Sequence, residues 1–117
     1  YHFVFCPRYR RKIFLIPRVE ELFKTLLNKK CEEMEINIIA IECDEDHVHM
    51  FLNCLPTQSP AGIMQNIKGH TSKILREEFY QLSKMPSLWT RSYFVYTAGN
   101  VCSKTIQKYV ESQKTRY

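Results

Sequence analysis

The 117 residues contain no run of about 18 apolar side chains, the length a membrane-crossing helix needs, and the first residues lack the basic-then-apolar layout of a secretion signal. No membrane association is therefore expected, and the chain reads as cytoplasmic. Cysteine occurs five times, at Cys6, Cys31, Cys43, Cys54 and Cys102, an odd and widely spaced set with no Cys-x-x-Cys pair. That spacing argues against a zinc or redox motif and fits reduced thiols in a core. Internal repeats, low-complexity segments and domain linkers are also missing. One compact domain spanning residues 1–117 is what this length can support. The pattern at Tyr1 is already that of a strand, so a few preceding residues are expected.

What the chain does have is positive charge and aromatic surface. Seventeen Lys and Arg against twelve Asp and Glu give a formal net charge of +5, alongside seven Tyr, seven Phe and one Trp. This balance favours a polyanionic partner without identifying one.

Residues 1–6 are aromatic and β-branched, which suits a strand, and Pro7 ends it before the basic cluster Arg8, Arg10, Arg11 and Lys12. Pro17 is placed to open a helix running to about residue 33, with Val19, Leu22, Phe23, Leu26 and Leu27 at helical spacing. Two strands over 36–42 and 47–54, joined by a short acidic turn, predict an antiparallel hairpin. Ser59 and Pro60 form a cap and first-turn pair for a second helix to about residue 80. Its apolar face is Ile63, Met64, Ile67, Ile74 and Leu75, and a polar stripe carries Gln65, Lys68, Gly69, Ser72, Lys73 and Arg76. Gly69 costs helix stability there unless something must approach closely. A loop over 82–87, a fourth strand over 88–97 and a last helix capped by Ser103 complete the order. The pattern βαββαβ plus a terminal helix predicts an α+β sandwich of the ferredoxin-like kind, with helices on one face of a four-stranded antiparallel sheet.

In the segment DHVHMF, His47 and His49 are two apart on a strand, so both imidazoles share a face while Val48, Met50 and Leu52 take the other. A divalent cation accepts such a pair once oxygen ligands join it, and Glu42, Glu45 and Asp46 are near in sequence. On the last helix Thr105, Tyr109 and Gln113 recur every four residues and form one column, with Lys104, Lys108, Lys114 and Arg116 around it to neutralise phosphate or favour a phenolate. Helical spacing alone does not choose Tyr109 over Tyr93, Tyr96 or Tyr117. Attack on a phosphodiester needs a neutralised phosphate, an in-line nucleophile and a stabilised leaving oxygen, which a metal and a tyrosine together can supply. A reading from another class shares these features, a non-catalytic module that stacks single-stranded nucleic acid, and a third reading is a related enzyme, a replication-initiation nickase.

Five segments in order, YHFVFCPRYRRKIF, DHVHMF, IKGHTSKILREEF, LWTRSYFVYTAG and TIQKYVESQ, closely resemble the single-tyrosine transposases of the HUH superfamily, the TnpA-like enzymes of small bacterial and archaeal insertion sequences. The resemblance covers essentially the whole chain. It implies that His47 and His49 bind a divalent metal, that Tyr109 is the nucleophile, and that Gln113 completes the metal shell. Mg²⁺ or Mn²⁺ is the implied cofactor. The implied partners are single-stranded DNA hairpins at element ends and a second copy of the chain, in a homodimer whose active sites can be shared in trans. The implied chemistry leaves a 5′-phosphotyrosyl bond and a free 3′ hydroxyl. The break at Gly99 and Asn100 suits a swing of the tyrosine helix. Arg8, Arg10, Arg11, Lys68, Lys73, Arg76, Lys104 and Lys108 are candidate DNA contacts on charge and stripe geometry.

Overall fold

The computed structural model describes residues 1–97. Its elements run β1 (His2–Phe5), α1 (Val19–Glu33), β2 (Asn37–Cys43), β3 (Val48–Asn53), α2 (Pro60–Glu78), α3 (Tyr80–Ser83) and β4 (Phe94–Tyr96), with short 3₁₀ turns at Arg8–Arg10 and Ile13–Leu15. The four strands form one sheet in the order β2-β3-β1-β4, every neighbouring pair antiparallel. This is the ferredoxin-like arrangement expected from the order of elements.

Strand alternation sorts the residues cleanly between two faces. Phe3 pairs with Met50 and Phe5 with Val48, and these side chains meet Phe23, Leu27, Ile63, Ile67 and Leu75 of α1 and α2 in the core. The reverse face carries His2, Val4, His49 and Phe51, in the register His2↔Phe51 and Val4↔His49. A bulge between Ile38 and Ala40 in β2 restores the alternation, so that Ala40 faces with Phe51 and Glu42 with His49.

The first two helices hold as read, with small differences at their ends, and the last helix expected after Ser103 lies outside the described residues. The Ser59 hydroxyl accepts from Gly62 N at 3.0 Å and Pro60 is the first helical residue of α2. Helix α1 begins at Val19 rather than Pro17, because Arg18 takes a left-handed conformation (φ 74°) and breaks the run. Thr71, assigned to neither face of α2, is buried; its hydroxyl donates to Ile67 O at 2.8 Å and accepts from Trp89 Nε1 at 3.0 Å. The fourth strand is much shorter than the expected 88–97. Leu88 and Trp89 turn into the core, Trp89 makes only a lone bridge with Pro7, and pairing with β1 is confined to three residues. Of the expected loop over 82–87, the first two residues close α3.

Candidate active site

The β2–β3 turn delivers the two histidines. Asp44 N donates to His47 O at 2.9 Å, closing the turn, so His47 stands just before β3 and His49 within it. Their rings share the face away from the helices, with centroids 6.4 Å apart and planes inclined by 29°. His47 Nδ1 donates to Asp46 Oδ1 at 2.7 Å. Its Nε2 accepts from Arg10 Nη2 at 3.1 Å, and Arg10 Nε also pairs with Asp46 Oδ2 at 3.3 Å. His49 is 4% exposed, with Asp44 Oδ2 3.8 Å from its Nε2. Burial lowers its pKa, an effect that Asp44 and Glu42 oppose. The outcome is a ring inclined to the neutral form that ligates metal.

The donor set fits a divalent cation in part. A carboxylate on Nδ1 of His47 orients that ring as outer partners of metal-bound histidines do, leaving Nε2 as the ligand atom. Arg10 now sits on that nitrogen and would have to withdraw; at 62% side-chain exposure it can do so at small cost. Among the described residues no group of three or more His, Cys, Asp or Glu is arranged to hold a metal. The histidine pair alone would supply two nitrogen ligands, and a bound cation would need further ligands from outside this set. Of the carboxylates anticipated nearby, Glu42 lies in register beside His49 and Asp46 braces His47, whereas Glu45 turns away to Lys12.

Two neighbours were not singled out from the sequence. Asp44 approaches His49 only because the turn folds back. His2, 1% exposed, is stacked on Phe51 at 4.1 Å, meets Tyr96 edge-on at 4.6 Å and lies 5.8 Å from the His49 ring. Burial and the charge on His49 and the amino terminus push its pKa down to about 4. Alternation sets His2 on the face opposite Phe3, a signal hidden by the aromatic run around it, and the pairing of β1 with β3 makes that the histidine face.

The basic candidates separate into three places. Arg10 is at the histidines, Arg11 is exposed beside it, and Arg8 is half-buried, its backbone N–H donating to Leu88 O at 2.8 Å. The turn that carries them is strained, with Tyr9 and Arg10 at φ 60° and 51°. Lys68 is no free surface charge: its ammonium donates to Thr90 O at 2.8 Å and Ser92 O at 3.0 Å and lies 5.2 Å from the Tyr93 ring centre. Lys73 is exposed and Arg76 half-buried on the outer side of α2, away from the histidine face, where a Cβ at Gly69 would meet nothing within 4 Å. Tyr109, Gln113, Lys104, Lys108 and the Gly99–Asn100 break lie outside the described residues.

A cleft of about 350 Å³ runs from His47 and His49 past Val4 and His2 to Thr90, Ser92 and Phe94. Helices α1 and α2 cover one face of the antiparallel sheet, and the other face carries the histidine pair at one end of a cleft lined by aromatic side chains. The chain belongs to the IS200-like transposase family, whose model matches residues 1–113. It is 36% identical over 116 residues to the transposase of insertion sequence IS200 from Salmonella typhimurium, covering 97% of this chain and 75% of that one. It is 29% identical to the ISDra2 transposase TnpA of Deinococcus radiodurans, covering 97% and 82%. The crystal structure of a Deinococcus radiodurans protein described as a transposase superposes with a TM-score of 0.76 at 25% identity, over 96% of this chain and 88% of that one. By family the protein is therefore a DNA-processing enzyme.

Proposed function

We propose that the protein cuts and rejoins single-stranded DNA at the ends of an insertion sequence through a covalent tyrosine intermediate, working as a homodimer on hairpin-flanked strands. The observation that carries this reading is the histidine pair itself, two imidazoles on the sheet face away from the helices with Asp46 orienting one ring and Asp44 near the other. In the proposed site His47, His49 and Gln113 hold Mg²⁺ or Mn²⁺. Bound there, the cation would draw charge from the non-bridging oxygens of the scissile phosphate.

Tyr109 supplies the nucleophile. Its phenolic oxygen attacks phosphorus, the bond to the 3′ oxygen breaks, and the phenolic proton is made up on that leaving oxygen. The 5′ phosphate stays on the tyrosine. Because the ester conserves the bond, a different 3′ hydroxyl can displace the tyrosine and rejoin the strand without an external energy source. Lys104 and Lys108, close to Tyr109 in sequence, favour the phenolate. Arg8 and Arg11 contribute charge toward the DNA backbone near the histidines, whereas Lys73 and Arg76 would meet only DNA that passes over the outer side of α2.

The test is to incubate the full chain with labelled hairpin-flanked single strands and Mg²⁺ and look for a covalent adduct. The adduct should form with the natural protein and disappear in Tyr109→Phe. His49→Ala should also block cleavage while leaving much of the hairpin binding intact. An adduct that survives Tyr109→Phe would remove the nucleophile assignment, and undiminished cleavage by His49→Ala would remove the metal seat. A non-catalytic binding module gives no adduct under any of these conditions.

A further inference from the structure

We propose that Phe94 and the cleft beneath it form a stacking subsite for one unpaired nucleobase, belonging to a nucleotide next to the phosphate held at His47 and His49; the proposal rests on the strand-transfer reading above. The sheet register places the residues. Glu42 pairs with His49, His49 with Val4, and Val4 with Phe94, so these four side chains form one row across all four strands on the face away from the helices. Two strand spacings put Phe94 about 10 Å from His49 along that row. Val4, the small residue between them, leaves the floor of the cleft low.

Phe94 is 73% exposed, on a strand where its neighbour Val95 packs into the core. A large aromatic side chain left in water beside a charged site is poor use of a core-forming residue and good use of a π-face. Stacking on such a face accepts any of the four bases, as a protein that handles single strands requires. The wall facing it is rigid. Lys68 reaches from α2 to bond the carbonyls of both Thr90 and Ser92, and the Thr90 hydroxyl donates to Ser92 O at 3.1 Å. These bonds fix the loop whose Thr90 and Ser92 side chains line the cleft. The exposed Arg91 at its tip and Arg10 at the histidine end supply positive charge at both ends of the cleft. An aromatic plate, a braced wall with hydroxyls and flanking guanidinium groups match a base with a phosphate on either side.

The experiment uses the full chain carrying Tyr109→Phe, so that no cleavage intervenes, and single strands with the fluorescent base 2-aminopurine placed in turn at each position around the scissile phosphate. Quenching is expected at one flanking position, lost in Phe94→Leu together with roughly tenfold of the binding, and restored in Phe94→Trp. In the Tyr109 protein, an abasic residue at that position should cost the same factor, and Phe94→Leu should add nothing to it. Equal quenching in Phe94→Leu, or equal binding by the Leu and Trp variants, overturns the subsite. A Phe94→Leu variant that changes sedimentation without a position-specific effect also overturns it, in favour of a protein contact. The two readings fail separately: adduct formation indifferent to the abasic residue removes the subsite alone, whereas absent adduct with position-specific quenching removes strand transfer and leaves stacking.

Discussion

Arg10 Nη2 lies 3.1 Å from His47 Nε2, so the guanidinium would compete with the proposed metal ion for one lone pair. The competitor is also a like charge close to the seat. Arg10→Ala should therefore bind Mn²⁺ more tightly in the absence of DNA, by about fivefold, which corresponds to ~1 kcal/mol. Calorimetric titration of both proteins checks this; weaker binding by the variant would mean that Arg10 supports the seat rather than guarding it. At this scale the sequence was legible where a period of two sufficed. His47 and His49 are found by alternation, and so is the burial of Val48, Met50 and Leu52 behind them. Asp44 was not found, because its distance from His49 depends on a turn hydrogen bond that spacing does not reveal.

Helix α2 and the segment after it show where element-level reading stops. Helical periodicity placed Lys68 on a polar stripe, and its backbone does lie there. The four-carbon stem nevertheless carries the ammonium to two carbonyls of another segment, and burial lowers its pKa. The same bonds help explain why residues 88–93 are not strand: the Thr90 and Ser92 carbonyls are met by a lysine, and the Leu88 and Trp89 side chains by the core. Lys68→Met should keep the stem and lose both bonds, costing about 1–3 kcal/mol in chemical denaturation. It should also weaken strand binding with little change in the rate of the bound complex, because the loop wall loosens while the histidines stay in place. A variant as stable as the natural protein would show that the loop is held by Trp89 and Leu88 alone.

The sheet face away from α1 and α2 carries two buried imidazoles, and both have lowered pKa values. For His2 the fold favours the neutral ring, with a pKa of about 4 against 6.5 when unfolded. Above 6.5 neither state takes up the proton, so stability is unaffected. As pH falls from 6.5 toward 4 the unfolded chain is protonated first, and each pH unit removes up to about 1.4 kcal/mol from this group alone. His49 acts in the same direction. Melting of the metal-free protein between pH 7 and pH 4.5 should show this slope, and His2→Phe should flatten it; an unchanged slope would assign the acid sensitivity elsewhere. Four strands, two long helices and their order were readable at this scale because each has its own hydrophobic period. The sheet order β2-β3-β1-β4 came only from the match to a known arrangement of elements.

With α1 and α2 closing one side of the sheet, the molecule has a front and a back. A tether or bulky label on Lys29, exposed on α1, leaves the approach to the histidines clear, whereas one on Ser92 stands in the doorway. The orientation in which the protein is fixed to a surface should thus decide whether the proposed single strand can reach the histidines.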